Sequence, residues 1–244
     1  MTEPLPNAAA AALVLAAGRG SRMRPLTDHT PKPLLAVRGR PLMQWPMDAL
    51  ARAGVTRLAV NTAWLGAQVE GFATDWAAQR PGLSLTLSRE GADFGDALET
   101  LGGVVRALPA LGDLFWVVAG DVFAPAFDFA AADPAALLAD GALAHLWLVP
   151  NPAHHPSGDF GLSADGQALN GGSPRFTFST IGLYRRALFE APWCDIPAGN
   201  PQGVVAPLAP LLRRAMDAGR VRATLYTGPW TDVGTPERLA ALNA

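Results

Sequence analysis

Short apolar segments alternate with amphipathic segments along the first 150 residues, and this alternation constrains the fold more than any other feature. The apolar segments predict strands at residues 11–15, 56–61, 83–87, 114–119 and 144–149. The amphipathic segments predict helices at residues 42–53, 65–78, 97–108 and 134–139. Such an alternation is typical of an α/β fold, in which helices cover both faces of a mostly parallel sheet.

The pattern changes after Pro150. Residues 160–169 contain Asp-Gly, a dipeptide typical of hairpin turns, and residues 175–184 predict another strand. We expect a helix at 208–218, a strand at 221–226 and a short terminal helix capped by Thr235. No repeat, linker or low-complexity tail is evident beyond the Ala-rich start, so we expect a single domain over residues 1–244.

Composition excludes several classes of function. Half of the 244 residues are hydrophobic and the net charge is −2, so the chain lacks the basic excess of nucleic-acid-binding proteins. Cys194 is the only cysteine, which excludes an intramolecular disulfide. The apolar run at residues 8–17 is too short to span a bilayer, and no basic residue precedes it as in a signal peptide. We therefore expect a cytoplasmic protein that binds neither nucleic acid nor a membrane.

The run from residue 15 to residue 32 carries the clearest chemical signal. A predicted strand leads into small residues whose backbone N–H groups can approach phosphate oxygens. Four cations then stand within fourteen positions, and Lys32 is the only lysine beside 18 arginines. A guanidinium does not replace a compact ammonium where a point charge must fit between phosphates. We predict a triphosphate site formed by Leu15, Ala16, Ala17, Gly18, Arg19, Gly20, Ser21, Arg22 and Lys32.

Other interpretations of this run are weaker. A Walker A loop requires Gly-Lys-Ser or Gly-Lys-Thr, whereas Gly20 is followed by Ser-Arg. A dinucleotide fingerprint requires a third glycine where Met23 stands, and an acid after the second strand, where Asn61 and Thr62 stand. A plain strand–helix loop with surface arginines is the remaining alternative, but it does not explain so many cations in one short run.

Residues 13–34 resemble the signature of the sugar-nucleotide pyrophosphorylases, Leu-x-Ala-Ala-Gly-x-Gly-x-Arg-Met-x-Pro-Leu-Thr followed by Pro-Lys-Pro-Leu. The resemblance implies a Rossmann-like nucleotidyltransferase fold, with a nucleotide-binding half at 11–123 and a β-rich sugar-binding half at 124–244. It also implies an enzyme that joins a nucleoside triphosphate to a sugar 1-phosphate and releases pyrophosphate. The catalytic residues would be Arg22, which grips the triphosphate, and Lys32, which contacts the phosphates at the reacting end.

Two aspartates belong to further motifs of the same family. An apolar strand ends in Gly120-Asp121, and Asp232 lies in a Trp-x-Asp-x-Gly-Thr segment. The carboxyl end of a strand in an open sheet faces the ligand crevice. The resemblance implies that Asp121 and Asp232 bind Mg²⁺, which takes one or two carboxylates together with phosphate and water oxygens. Either aspartate taken alone would fit a solvated loop or a helix cap equally well.

Nearly the whole chain from Ala12 onward resembles one group within this family, the bacterial N-acetylmuramate 1-phosphate uridylyltransferases of cell-wall recycling. The similar segments are residues 61–66, 151–160, 178–181 and 208–213. The resemblance implies UTP and N-acetylmuramic acid 1-phosphate as substrates. The acceptor sugar would contact Asp121, Asp159 and Thr180, and His154 or His155 would donate to its lactyl carboxylate.

The stretch that resembles the family's base-binding segment departs from the pattern. The resemblance assigns the base to four residues, Glu90, Gly91, Thr100 and Gly102. Residues 92–97 form a longer insert, Leu101 replaces a glycine and Ala119 stands where the family has asparagine. The chain ends twelve residues after Asp232, so we expect no trimerisation extension and a monomer.

Several functions stay open at this point. A mannose 1-phosphate guanylyltransferase, a glucose 1-phosphate uridylyltransferase and a non-catalytic nucleotide sensor share parts of the pattern. The presence of Arg22, Lys32, Asp121 and Asp232 together argues against the sensor. The side chains alone do not select among UTP, GTP and dTTP, because uracil is usually recognised by backbone groups.

Overall fold

The computed structural model describes residues 10–244, apart from the side chain of Ala139. Ala8 and Ala9, where the predicted apolar run begins, lie outside the described residues. The strands, β1 to β13 in chain order, are Ala11–Leu15, Ala36–Val37, Arg40–Pro41, Arg57–Thr62, Ser84–Arg89, Leu114–Ala119, Val122–Phe123, Ala144–Val149, Phe160–Leu162, Ala168–Leu169, Arg175–Arg185, Val221–Leu225 and Thr231–Asp232. The helices, α1 to α7, are Gln44–Arg52, Gly66–Ala78, Glu90–Phe94, Glu99–Leu111, Pro134–Leu137, Ala209–Asp217 and Pro236–Asn243.

Nine of the described strands form one mixed sheet with a parallel centre. The order is β12-β8-β11-β6-β1-β4-β5, and the hairpin β9–β10 pairs with the beginning of β11. Strand β1 runs parallel to β4 and β6, whereas β11 runs antiparallel to β6 and β8. The prediction of a mostly parallel mixed sheet flanked by helices is confirmed. In residues 10–244 no helix is both long enough and apolar enough to cross a membrane.

The central strand β1 is buried on both faces. Ala11 and Leu13 pack into a core that also contains buried residues of α4 and α6. Ala12 and Val14 face the opposite core, which α1 and α2 cover. Fully burying a leucine or valine side chain contributes about 1.5–3 kcal/mol, so these packed layers fix β1 firmly. The residues that follow Leu15 therefore leave the sheet at a well-defined point.

Element boundaries follow the sequence prediction closely, and α4 differs most. Strands β1, β6 and β8 have the predicted bounds, whereas α4 runs from Glu99 to Leu111 and not over residues 97–108. Pro109 lies inside α4 and has no N–H for the carbonyl of Val105. The N–H of Gly199 donates to that carbonyl instead, at 2.8 Å, so the helix continues past the proline.

Two short ribbons have no counterpart in the sequence prediction. Strand β2 pairs with β3, and β7 pairs with β13, each over two residues per strand. A two-residue strand is too short to show an alternating pattern. The β7–β13 ribbon nevertheless has a large effect, because it pairs Val122 and Phe123, which follow β6, with Asp232 and Thr231 near the end of the chain.

Candidate active site

The carboxyl ends of the parallel strands meet at one edge of the sheet. In the register of the sheet, Leu15 lies between Asn61 of β4 and Ala119 of β6. Each of these strands then turns out of the sheet, and the N–H of Ala16 donates to Asn61 Oδ1 at 2.7 Å. Ligands of open α/β sheets bind at such an edge. Two adjoining cavities open here.

The small cavity has a volume of about 340 Å³ and is formed mainly by the loop after β1. It is lined by Leu15, Ala16, Gly18, Gly20, Ser21, Arg22, Met23, Lys32, Pro33, Asp121 and Gly234. Most of the residues predicted to bind a triphosphate therefore line one cavity. Its charges are two cations, Arg22 and Lys32, and one carboxylate, Asp121.

The loop after β1 is held by close packing around Gly20. Gly20 has a φ of 64°, and a Cβ at this position would lie 3.0 Å from Lys32 Cβ. The carbonyl of Gly20 accepts hydrogen bonds from the Thr27 hydroxyl at 2.9 Å and from the N–H of Met23 at 2.8 Å. These contacts bring Lys32 against the loop. Its side chain is almost buried, and its ammonium pairs with the Asp121 carboxylate.

The large cavity has a volume of about 650 Å³ and adjoins the small one. Leu15, Gly18 and Asp121 line both cavities, so Asp121 lies where they meet. The remaining walls come from distant parts of the chain. They are Ala17, Asn61, Glu90, Ala97, Glu99, Thr100, Val117, Ala119, Asp159, Phe160, Phe178, Thr180, Tyr184, Pro207, Leu208, Ala209, Leu212 and Arg213.

A buried carboxylate supports one wall of the large cavity. Glu90 is fully buried and accepts from Asn61 Nδ2 and from the N–H of Leu98, each at 2.8 Å. Burial raises the pKa of the Glu90 carboxyl, while these two hydrogen bonds oppose the rise. Gly103 is packed against this group, since a Cβ there would lie 2.6 Å from Glu90 Oε1. The cluster fixes Asn61, whose other amide atom holds the loop at Ala16.

Asp159 and Thr180 also line the large cavity. Asp159 Oδ2 accepts from the N–H of Phe178 at 2.8 Å, and Oδ1 lies 3.2 Å from His155 Nε2. Thr180 lies in a bulge of β11, between the residues that pair with β8 on either side. Its φ of 63° is unusual for a β-branched residue. The Ser179 hydroxyl braces the bulge by donating to the carbonyl of Trp147 at 2.6 Å.

The second predicted metal ligand, Asp232, lies next to Asp121 through the β7–β13 ribbon. The N–H of Val233 donates to the Asp121 carbonyl at 3.0 Å. Asp232 Oδ2 accepts from Arg238 Nη1 at 2.5 Å, and Oδ1 lies 3.0 Å from His154 Nε2. Arg238 Nη1 is also 3.0 Å from that same nitrogen. When His154 Nε2 accepts from Arg238, Asp232 Oδ1 is left buried without a hydrogen bond.

This arrangement fits a divalent cation. The β7–β13 ribbon brings the backbone of Asp232 beside that of Asp121, and Asp232 has a buried carboxylate oxygen with spare acceptor capacity. Mg²⁺ prefers oxygen ligands, and in nucleotide sites it takes one or two carboxylates and leaves its other positions to phosphate and water. Asp121 and Asp232 therefore have suitable chemistry to hold Mg²⁺ beside the small cavity.

Comparisons with known proteins agree with this geometry. The nucleotidyl transferase family model matches residues 11–162, more than half of the chain. The chain belongs to the nucleotidyl transferase family. It is 47% identical to an N-acetylmuramate alpha-1-phosphate uridylyltransferase of Neisseria meningitidis serogroup B, over 96% of each chain. It is 31% identical to an enzyme of the same name from Caulobacter vibrioides, over 96% of this chain and 95% of the relative.

The fold is also similar to solved structures of enzymes with related names. The inositol-1-phosphate CTP transferase from T. maritima superimposes with a TM-score of 0.69 at 17% identity, and the match covers 96% of each chain. At this identity the likeness shows the fold alone. It agrees with the Rossmann-like nucleotidyltransferase fold that the sequence predicts.

Three predicted nucleotide-binding residues of this nucleotidyltransferase line neither cavity. Arg19 lies over the Trp64 ring, at 4.2 Å from its centroid. Gly91 and Gly102 allow close packing of the backbone. A Cβ on Gly91 would lie 2.7 Å from Ala63 Cα, and one on Gly102 would lie 2.4 Å from the Val204 carbonyl oxygen. Their role in nucleotide binding stays a prediction, whereas their packing role is clear.

The residues that depart from the family pattern are Leu101, the insert at 92–97 and Ala119, and the structure shows where each of them lies. Leu101 is buried in the core and does not line the large cavity, although the residue before it does. Within residues 92–97, Asp93 pairs with Arg106 of α4, and Ala97 reaches the cavity wall. Ala119 also lines that wall. The insert and the leucine therefore leave the large cavity open.

Sequence reasoning missed several residues that line the large cavity. Asn61 was not predicted to be a site residue, although a polar residue at the end of a buried strand is itself a signal. Glu99 has a φ of 57°, which no sequence pattern predicts. Arg213 lies on α6 among apolar residues, where its position resembles that of a surface residue of an amphipathic helix.

Proposed function

We propose that this nucleotidyltransferase transfers UMP from UTP to N-acetylmuramic acid 1-phosphate, giving UDP-N-acetylmuramic acid and pyrophosphate. One observation carries the proposal. Asp121 lies where a cation-bearing cavity meets a larger cavity suited to a sugar, so donor and acceptor phosphates would meet at one carboxylate. The choice of UTP and muramate is supported by the names of two relatives that match almost the full chain.

The small cavity would take the triphosphate. Its loop offers backbone N–H groups between Gly18 and Ser21, and Arg22 and Lys32 supply positive charge. In a phosphoryl or nucleotidyl transfer, positioning and neutralisation of charge supply most of the rate enhancement. Arg22 would bind the departing pyrophosphate. Lys32, which the loop holds in place, would neutralise charge on the α-phosphate.

Asp121 and Asp232 would hold Mg²⁺. The bound ion would supply neutralisation of phosphate charge. In the structure these carboxylates pair with Lys32 and Arg238.

The reaction requires no general base. The second pKa of a phosphate monoester is about 6, so the attacking oxygen of the acceptor is already ionised at neutral pH. That oxygen attacks the α-phosphorus of UTP, the bond to the β-phosphate oxygen breaks, and pyrophosphate departs. Consequently none of the four histidines is assigned a catalytic role.

The large cavity would hold the base and the acceptor sugar at different walls. The base would lie near Glu90 and Thr100, which belong to the proposed nucleotide-binding half at 11–123. The sugar would lie near Asp159 and Thr180, within the proposed sugar-binding half at 124–244. We further propose that the enzyme acts as a cytoplasmic monomer, and that it acts in the recycling of cell-wall peptidoglycan, as its resemblance implies.

A substrate panel tests the proposal. Pyrophosphate release is measured with UTP, GTP or dTTP, each combined with the 1-phosphates of N-acetylmuramic acid, N-acetylglucosamine, glucose and mannose. The Lys32→Ala protein, purified in the same way, measures contaminating activity. We expect the highest kcat/KM for UTP with N-acetylmuramic acid 1-phosphate. A higher value for glucose or mannose 1-phosphate would overturn the muramate assignment, and a uniform lack of turnover would favour a nucleotide sensor.

A further inference from the structure

The charges that line the large cavity are unevenly distributed. Four acidic residues, Glu90, Glu99, Asp121 and Asp159, contribute to its walls. Among the described residues that line this cavity, Arg213 is the one with a basic side chain. An acidic cavity disfavours an anionic substrate unless a cation compensates, so the position of this single arginine determines where such a group can bind.

Two contacts orient the Arg213 guanidinium. It lies over the ring of Phe160, at 5.1 Å from the centroid, and Phe160 is itself buried. Nη1 donates to Asn170 Oδ1 at 2.7 Å. The amide of Asn170 is oriented in turn, since its Nδ2 donates to both carboxylate oxygens of Asp217 at 3.1 Å. The arginine is therefore held by a stack and a polar tether.

The hydrogen bond to the neutral amide of Asn170 does not neutralise the positive charge of Arg213. Asn170 lies between Arg213 and Asp217, and no carboxylate in residues 10–244 forms an ion pair with Arg213. Nη1 is the atom that makes its protein hydrogen bonds, so Nε and Nη2 keep donors for a ligand. A half-buried guanidinium with free parallel donors is suited to bidentate binding of a carboxylate.

We propose that Arg213 recognises a carboxylate on the acceptor sugar and sets the preference of the enzyme for an acidic sugar 1-phosphate. The proposal rests on the proposed function, in which the acceptor is N-acetylmuramic acid 1-phosphate, a sugar with one lactyl carboxylate. The two phosphate-binding cations lie in the other cavity, so Arg213 is not needed for the 1-phosphate itself.

The histidines considered from the sequence are less suited to this task. His155 Nε2 lies 3.2 Å from Asp159, and His154 Nε2 lies 3.0 Å from both Asp232 and Arg238. Neither histidine lines the large cavity, whereas Arg213 does. The lactyl carboxylate therefore finds its cation on α6 and not in the loop before Asp159.

The test compares two acceptors that differ only in the lactyl group. Steady-state kcat/KM is measured for N-acetylmuramic acid 1-phosphate and N-acetylglucosamine 1-phosphate with wild type, Arg213→Met and Arg213→Lys. Methionine keeps an apolar side chain against Phe160 while it removes the charge. Arg214→Met is the matched control, because Arg214 is the next residue of α6, is exposed and donates to the Trp193 carbonyl outside the cavity. Thermal unfolding confirms that each variant is folded.

We expect Arg213→Met to lower kcat/KM for the muramate acceptor about 10- to 100-fold, with less than about a twofold change for N-acetylglucosamine 1-phosphate. Arg213→Lys should keep part of the preference, and Arg214→Met all of it. A muramate analogue whose lactyl carboxylate is replaced by an amide should have a low kcat/KM with wild type. Its kcat/KM should be no lower with Arg213→Met. Equal losses for both acceptors in Arg213→Met, or an unchanged preference, would overturn the proposal.

An error in the proposed function would be visible in wild type itself and not in the Arg213 variants. If wild type does not prefer the muramate acceptor, that function is wrong, and glucuronic acid 1-phosphate is compared with glucose 1-phosphate. A preference for the glucuronate that Arg213→Met removes would still support carboxylate recognition by Arg213. No such preference in wild type would overturn it.

Discussion

The two cavities differ in how the chain builds them. The small cavity takes nine of its eleven lining residues from residues 15–33, and two cations face one carboxylate there. The large cavity has nearly twice the volume and is lined by segments between Leu15 and Arg213, and four of its five charged lining residues are acidic. In the proposed function, one contiguous loop would bind the phosphates of the nucleoside triphosphate, which every donor of such an enzyme carries. Recognition of a particular acceptor requires residues that only the fold brings together.

The largest expected loss of activity comes from substitution of the two aspartates near the junction of the cavities. Asp121→Asn and Asp232→Asn should each lower kcat about 1,000-fold, because each removes a carboxylate proposed to hold Mg²⁺. Turnover is measured at saturating Mg²⁺, with circular dichroism to confirm folding. Asp113→Asn is the control, since Asp113 is exposed and lies at the other end of β6. Near wild-type turnover in either aspartate variant would remove that residue from the metal site.

Substitutions of Lys32 should show whether the small cavity requires the compact shape of the lysine ammonium or only its positive charge. Lys32→Arg should be about 100-fold less active than wild type and close to Lys32→Ala, because Lys32 is almost buried against Gly20 and a planar guanidinium does not fit there. The measurement is kcat for the three proteins at saturating UTP. Near-full activity of Lys32→Arg would mean that charge alone matters and that the cavity tolerates a larger group.

Acid should destabilise the enzyme through a residue outside both cavities. Burial lowers the pKa of His145 from 6.5 to about 4, and its ring nitrogens lie near the Leu137 carbonyl and the Thr224 hydroxyl. Between these values the unfolded chain binds the proton and the folded one does not. Stability is therefore lost as pH falls from 6.5 to 4, by up to about 3 kcal/mol.

Urea unfolding at several pH values measures this loss. His145→Gln should flatten the dependence between pH 6.5 and 4, whereas His29→Gln, at an exposed position, should keep it. Acid inactivation of this kind would then say nothing about a catalytic base in either cavity. An unchanged slope in His145→Gln would show that another group titrates.

The packing behind the large cavity gives a smaller effect. Gly103→Ala would place a Cβ 2.6 Å from Glu90 Oε1 and 3.0 Å from Asn61 Nδ2, and should lower the free energy of unfolding by about 2 kcal/mol. Gly71→Ala on α2, where nothing lies within 4 Å of the new Cβ, should stabilise the protein by about 0.5–1 kcal/mol. Urea unfolding at pH 7 compares both with wild type. Equal stability of Gly103→Ala and wild type would mean that the Glu90 cluster is loosely packed.

The contrast between the cavities also explains how much the sequence could predict. Strand β1 and the residues from Leu15 to Lys32 were predictable because an apolar run and a local cluster of cations are visible in a short window. The approach of Asp232 to Asp121 was inferred from family motifs, since a two-residue ribbon leaves no pattern. Arg213 was not predictable as a cavity residue, because its environment depends on the hairpin that carries Asn170.

One measurement tests most directly whether the small cavity binds the triphosphate of UTP and the large cavity binds the acceptor sugar. Initial rates are measured while UTP and the acceptor are varied independently, for wild type, Arg22→Met and Asp159→Asn. We expect Arg22→Met to raise the KM for UTP about tenfold and to leave the KM for the acceptor nearly unchanged. Asp159→Asn should raise the KM for the acceptor about tenfold and spare that for UTP. If both variants raised the same KM, the placement of the UTP triphosphate in the small cavity and of the acceptor sugar in the large one would be contradicted.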